Sequence, residues 1–489
     1  MSRYLKQTLM VFTGRSGSGV IQMMAGFLLV VIYLKVLGSE LYGLWLATGG
    51  VLSMMGLMDF GLSSLIAVKA GEAIHHKDKS RVRAALMSGL FVQLLLALVL
   101  LFILAPCITF ILPDILNMDA SRQELLQGCF LLAALALAIR LPVNGLMRFC
   151  ETRQSAQSIA WAQFAAVLAD TLTKVLCLLA GWGLWALPLG RLAHVLCVAV
   201  VSGWKTREIL KEYPGRGHAI SRESLRGYWK LSPVLISSRS LRSLVQNSEP
   251  TLITAFLGPH VTTVYVITRK AATLIQQFLQ TAGNSTLPAL AHKAGALENK
   301  GALPGDWVPL FLKGTLFMML IYSLHNPAFV KIWVGQSLYG GDFLTVGCAW
   351  AVTGIALQNL ASYFCLAKGE IRKEAGVSMI ENMCRFLLML LSLNYFPLWV
   401  FPFCVGLSSL TGGVWLLKKQ IFTSLTAKGI YWDIAAVGCI IFISMVFSDK
   451  SNFLFWLSLA GSCFVLLAWI YFTQKNIVLT LFRKPVTPF

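Results

Sequence analysis

The feature that most constrains this chain is its near-unbroken succession of apolar stretches, each long enough to cross the hydrocarbon core of a bilayer as a helix of about 20 residues. About fourteen such spans can be read, at roughly 8–37, 42–70, 84–113, 123–148, 155–180, 184–204, 231–257, 260–290, 307–333, 342–367, 374–395, 397–417, 430–448 and 452–473. The first, seventh and eighth are the most polar. Of the 489 residues, 57% are hydrophobic and 13% charged, where soluble domains carry about 45–50% and 25%. There is too little polar side chain to coat soluble domains of this length, which excludes a soluble enzyme, a disordered scaffold and a small secreted disulfide domain. Within a bilayer the backbone must satisfy its own hydrogen bonds, so the fold class expected is all-α, a polytopic integral membrane protein.

The connections between spans are short except for the basic segment 205–230. That break divides the chain into a six-span N-terminal lobe (1–204), a basic cytoplasmic linker (205–230), a second six-span lobe (231–418) and a final helix pair with a tail (419–489). An internal repeat supports two lobes. The first two spans meet at Leu37-Gly38 and the seventh and eighth at Leu257-Gly258, and each glycine is followed seven residues later by an aromatic, Trp45 or Tyr265. Upstream, Arg15 precedes Gln22 by seven residues, as Arg239 precedes Gln246. The copies lie six spans apart, so both enter from the same side and the repeat is parallel, an arrangement in which transporters place substrate between halves that rock against each other. The N-terminal stretch carries Arg15 and has no small-residue cleavage site, so a retained first helix is expected, not a signal peptide.

The charges are lopsided: 41 Lys and Arg against 21 Asp and Glu, a net +20. With the N-terminus in the cytoplasm, the inside segments hold most of the basic residues, while the outside segments hold Arg122 and Lys450. This bias places both termini inside and much of the basic excess beside anionic lipid headgroups. No nucleic-acid partner is expected in so apolar a chain. The remaining bases lie within spans: Arg15, Lys35, Lys69, Arg140, Lys174, Arg191, Arg239, Arg242, Arg269, Lys270, Lys313, Lys331 and Arg385, with the acids Asp59, Asp170, Glu249 and Glu381. Lys35, Lys69, Lys313 and Lys331 sit near span ends, where the ammonium reaches the interface. The others sit deeper, where charge must face a cavity or a partner.

Helical spacing organises these groups. Arg239, Arg242, Gln246 and Glu249 share one face of the seventh span, and Arg269, Thr273, Gln276, Gln280 and Asn284 one face of the eighth. Such stripes face protein or water, not lipid. Asp170–Lys174 and Glu381–Arg385 are acid-before-base pairs at i, i+4, which serve equally as structural salt bridges or as transport residues. The eleven cysteines form no CxxC pair and lie mostly in apolar runs, as small hydrophobes. Gly14-Arg15-Ser16-Gly17-Ser18-Gly19 lacks the Gly-Lys-Ser/Thr ending of a phosphate loop, and the His75-His76 pair lacks metal-ligand spacing. No cofactor, metal or catalytic nucleophile is expected. The outside segments are also short for a glycan polymerase or ligase.

Tyr33-Leu34-Lys35-Val36-Leu37-Gly38, continued by Tyr42-Gly43-x-Trp45 and Asp59-Phe60-Gly61-Leu62, resembles the opening helices of Wzx-type polysaccharide flippases. These belong to the MOP superfamily, which also contains MATE drug exporters and MurJ-type lipid II flippases. The resemblance implies a MATE-like pair of lobes around a central cavity. It also implies translocation of an undecaprenyl-diphosphate-linked oligosaccharide, such as an O-antigen repeat unit, to the outer leaflet of a bacterial inner membrane. Polysaccharide polymerase and chain-length assembly proteins would be its neighbours. The basic stripes agree, since guanidinium groups suit phosphate and carboxylate oxygens, whereas exporters of cationic drugs should show acidic cavities. The expected substrate-binding residues are therefore Arg15, Arg140, Arg239, Arg242, Arg269 and Lys270. Asp59 and Glu249 are candidates for proton coupling or charge neutralisation. Asp170, Lys174, Glu381, Arg385, Gln246, Gln276 and Gln280 form a second tier. The alternatives are a MATE-type small-molecule antiporter and a membrane-bound glycan-assembly enzyme. The glycan carried and the energy source are not legible.

Overall fold

The computed structural model describes residues 3–75, 79–116, 120–152, 156–213, 233–296, 307–367, 370–424, 459–462 and 465. Among these residues the regular structure is helical. The helices are α1 (Arg3–Met55), α2 (Leu62–His75), α3 (Lys79–Val99), α4 (Ala105–Ile115), α5 (Ala120–Thr152), α6 (Ala156–Leu179), α7 (Ala186–Lys211), α8 (Pro233–Leu257), α9 (Pro259–Ala296), α10 (Trp307–Trp333), α11 (Asp342–Ala367), α12 (Ile371–Tyr395) and α13 (Val400–Ser424). Seven helical segments among the described residues are long and apolar enough to cross a membrane. Helices α8, α9 and α10 are not among them, and Val400–Leu416 of α13 is a shorter apolar helix. The thirteenth and fourteenth expected spans lie outside the described residues, apart from 459–462 and 465, of which Leu459 and Val465 pack against Phe317 and Ile321 of α10.

Local chemistry explains where helices bend. The two expected opening spans run through one helix, α1, kinked at Gly38 (φ 75°, ψ 171°). Gly258 makes the matching turn between α8 and α9 with φ 90°. Both need the left-handed region that glycine enters freely, so the repeated Leu-Gly pairs mark repeated turns. The second expected span is broken: a 3-10 turn at Gly56–Asp59 is followed by left-handed Phe60 (φ 45°) and Gly61 (φ 74°). The third runs from α3 into α4 through a π-helical turn, Leu100–Leu104, directly before Pro106. Proline offers no N–H to the preceding turn, so the ladder shifts there.

The chain divides into two compact units, Met1–Thr263 and Val264–Phe489. In the first, α7 packs on α5 and α6, while α1 packs on α6 and α8. Small residues allow the α1 contacts to close. A Cβ on Gly43 would lie 1.9 Å from the Pro259 carbonyl oxygen, and one on Gly50 2.5 Å from that of Asn247. Thr251 Oγ1 donates to the Ala47 carbonyl at 2.8 Å, and Thr263 Oγ1 to that of Ser39 at 2.6 Å. In the second unit α11 is the buried centre, packed on α10 and α13. Its Gly354 meets the Gly406 carbonyl so closely that an added Cβ would lie 2.5 Å away. Such small-residue crossings hold helices together in lipid, where apolar burial alone gives little preference for protein over acyl chain.

Candidate functional site

A cavity of about 220 Å³ opens in the first unit between α1, α5, α6 and α7. Leu52, Ala133, Ala136 and Leu137 form its apolar wall, and Arg140, Asp170, Lys174, Arg191 and His194 bring the polar groups. Two guanidinium groups and an ammonium thus face one carboxylate. Lys174 Nζ donates to Asp170 Oδ2 at 2.7 Å. Arg140 lies within electrostatic reach of Arg191 as a like charge, and both retain exposed surface in the opening. His194, one turn beyond Arg191, hydrogen-bonds to the backbone of Ala166. Tyr33 of α1 approaches both Asp170 and Arg191 and packs against Tyr42 in a tilted arrangement, with ring centroids 5.6 Å apart. Like charges in a partly desolvated space repel, and an anion between them relieves that repulsion.

The geometry depends on a glycine. A Cβ on Gly190 of α7 would fall 2.5 Å from Lys174 Cγ, 2.7 Å from its Cε and 2.9 Å from the Asp170 carbonyl oxygen. With no side chain there, α6 and α7 approach closely and the Lys174 stem lies along α7 with its ammonium on Asp170.

Other expected site residues sit elsewhere. Arg15 and Arg239 lie outside the residues whose side chains are described. Arg242 and Gln246 are half-buried on α8, and Glu249 is buried there. Asp59 accepts hydrogen bonds from Ser63 Oγ at 2.6 Å and Gln93 Nε2 at 2.9 Å, directly at the break in the second span. In the second unit, Arg269 Nη1 donates to the Tyr265 hydroxyl at 2.7 Å and lies within electrostatic reach of Arg385. Lys270, Gln276 and Gln280 are half-buried on α9. Arg385 pairs with Glu381 and hydrogen-bonds to Ser409 of α13, all deeply buried.

The first-unit cavity therefore joins one expected primary residue, Arg140, to the second-tier pair Asp170–Lys174. It adds Arg191 and His194, which sequence reasoning left out of the binding set. Arg191 and His194 share a face of α7 at i, i+3, a polar pair in an apolar span that could have marked them.

Among curated proteins none matches this chain. Solved structures share its fold. The lipid II flippase MurJ in an inward closed conformation aligns over 95% of this chain and 99% of its own, with TM-score 0.67 and 12% identity. An inward-facing multidrug resistance MATE family transporter of the MOP superfamily aligns over 83% of this chain and 96% of its own, with TM-score 0.61 and 13% identity. A MOP superfamily transporter from Pyrococcus furiosus Vc1, noted for a binding pocket of reverse polarity, aligns over 86% and 95%, with TM-score 0.53 and 12% identity. At such identities the likeness speaks for the fold alone: an all-helical, multi-pass membrane protein of MATE and MurJ type. The family model described as polysaccharide biosynthesis protein matches residues 14–293. More than half of the sequence fits that one model, and the chain accordingly belongs to the polysaccharide biosynthesis protein family.

Proposed function

We infer that this protein is a flippase that carries a lipid-diphosphate-linked oligosaccharide, an O-antigen or related surface-glycan repeat unit on undecaprenyl diphosphate, from the cytoplasmic to the periplasmic leaflet of a bacterial inner membrane. The observation that carries the reading is the cavity in which Arg140, Lys174 and Arg191 outnumber Asp170, inside a chain of the polysaccharide biosynthesis family. A diphosphate or acidic sugar entering the membrane loses its hydration, and fixed guanidinium groups replace it. At about 220 Å³ the cavity is smaller than the roughly 300–1,000 Å³ of sites that enclose a whole ligand. It therefore takes one charged group of a larger substrate. An exporter of cationic drugs would be poorly served by the same charges.

The cycle is alternating access between six-span lobes at 1–204 and 231–418, in a fourteen-span chain with both termini in the cytoplasm. Arg242, Arg269 and Lys270 on the polar faces of α8 and α9 are further candidates to meet an anionic group, as are Arg15 and Arg239 by their sequence spacing. Asp59 and Glu249 are the acids available for coupling to a proton gradient. No covalent bond changes, so no catalytic residue is assigned.

The test is an Arg140→Ala/Arg191→Ala double variant expressed at normal levels in a strain lacking the native copy. Lipid-linked oligosaccharide should accumulate on the cytoplasmic side and surface glycan should fall at least tenfold, about 1.4 kcal/mol of lost stabilisation or more. Unaltered surface glycan would refute the assignment.

A further inference from the structure

The acid–base pairs of α6 and α12 are one device in two settings. Asp170–Lys174 and Glu381–Arg385 share the i, i+4 spacing with the acid first, and they lie on spans that are six apart in the chain. Each is backed by a glycine of the following helix: a Cβ on Gly190 would lie 2.5 Å from Lys174 Cγ, and one on Gly412 3.0 Å from Glu381 Cγ. The surroundings differ. Glu381 and Arg385 side chains are 2% and 1% exposed, and Arg385 also donates to Ser409. Asp170 and Lys174 are 21% and 13% exposed and line the cavity with Arg140 and Arg191. A sealed ion pair is locked, since parting it strands a charge in low dielectric. A pair that opens onto a polar cavity can exchange partners.

We propose that Asp170 is a built-in counter-anion of the cavity, which an oxyanion of the transported molecule displaces from Lys174. The oxyanion is a diphosphate or a sugar carboxylate. Lys174 then becomes its third cationic contact beside Arg140 and Arg191. This deepens the flippase reading and rests on it. When Asp170 returns to Lys174 it competes with the bound group and promotes its release, so the cavity binds an anion without retaining it. The Glu381–Arg385 copy holds its helices and takes no ligand.

The test measures binding of inorganic diphosphate and of glucuronate, separately, to the full-length chain in lipid nanodiscs. Asp170→Asn should tighten binding about tenfold and Lys174→Gln weaken it about tenfold, with the double variant near wild type, as expected for adding or removing one nearby charge. The Lys174→Gln arm tests the idea without altering the acid. A response to diphosphate alone identifies the lipid linkage as the source, and a response to glucuronate alone identifies an acidic sugar. If Arg140→Ala/Arg191→Ala loses binding while neither Asp170→Asn nor Lys174→Gln shifts it, the counter-anion is overturned and the cavity reading stands. If the arginine substitutions change nothing, or no variant binds either probe, the cavity reading fails and the counter-anion fails with it.

Discussion

Gly190 illustrates how much of the site depends on a missing side chain. A methyl group there would overlap the stem of Lys174 and press on the backbone at Asp170, and overpacking of this kind costs about 1–3 kcal/mol. Gly190→Ala should therefore lower the thermal midpoint of the purified protein and weaken anion binding at the same time. An unchanged midpoint and affinity would mean that Lys174 is not held as described. The buried pair in the second unit makes a different prediction. Glu381→Gln leaves Arg385, 1% exposed, without its counter-charge, and breaking a buried pair from one side costs about 3–5 kcal/mol. The expected result is a large fall in folded yield, and replacing both residues with apolar ones of similar size should recover most of it.

Between helices, contacts depend on backbone approach more than on large apolar side chains. Gly43 and Gly49 lie on the same stretch of α1 but in opposite circumstances. A Cβ on Gly43 meets the Pro259 carbonyl oxygen at 1.9 Å, while one on Gly49 meets nothing within 4 Å. Gly43→Ala should destabilise the protein by about 1–3 kcal/mol, whereas Gly49→Ala should be neutral or stabilising by about 0.5–1 kcal/mol, since alanine favours the helix. Unfolding midpoints of the two variants test this, and equal effects would contradict the packing of α1. At this scale much was legible in the sequence. Apolar run lengths marked helices α3 to α7 and α10 to α13, the Leu-Gly repeats marked the turns at Gly38 and Gly258, and i, i+4 spacing marked both ion pairs. The break at Gly56–Gly61 and the π-turn at Leu100–Leu104 were not legible, because hydropathy is blind to hydrogen-bond register.

Across the whole chain, the +20 charge has two different causes. In the proposed topology, basic residues between spans lie beside anionic headgroups, and basic residues in the spans demand a partner or a cavity. The second group includes Arg140, Lys174 and Arg191, which line the cavity, but their convergence was hidden. Arg140, Lys174 and Arg191 come from three helices, and no spacing along one helix reveals that α5, α6 and α7 converge. Sequence patterns report faces of single helices, whereas a binding site is a property of their packing. The proposed function is movement of an anionic lipid-linked glycan across the bilayer by this packing. Its most direct measurement is the appearance of lipid-diphosphate-linked oligosaccharide in the opposite leaflet of proteoliposomes containing the purified chain. Transfer should run well above protein-free liposomes and fall at least tenfold in Arg140→Ala/Arg191→Ala, or about 1.4 kcal/mol. Transfer no faster than in protein-free liposomes, or unaffected by loss of both arginines, would contradict it.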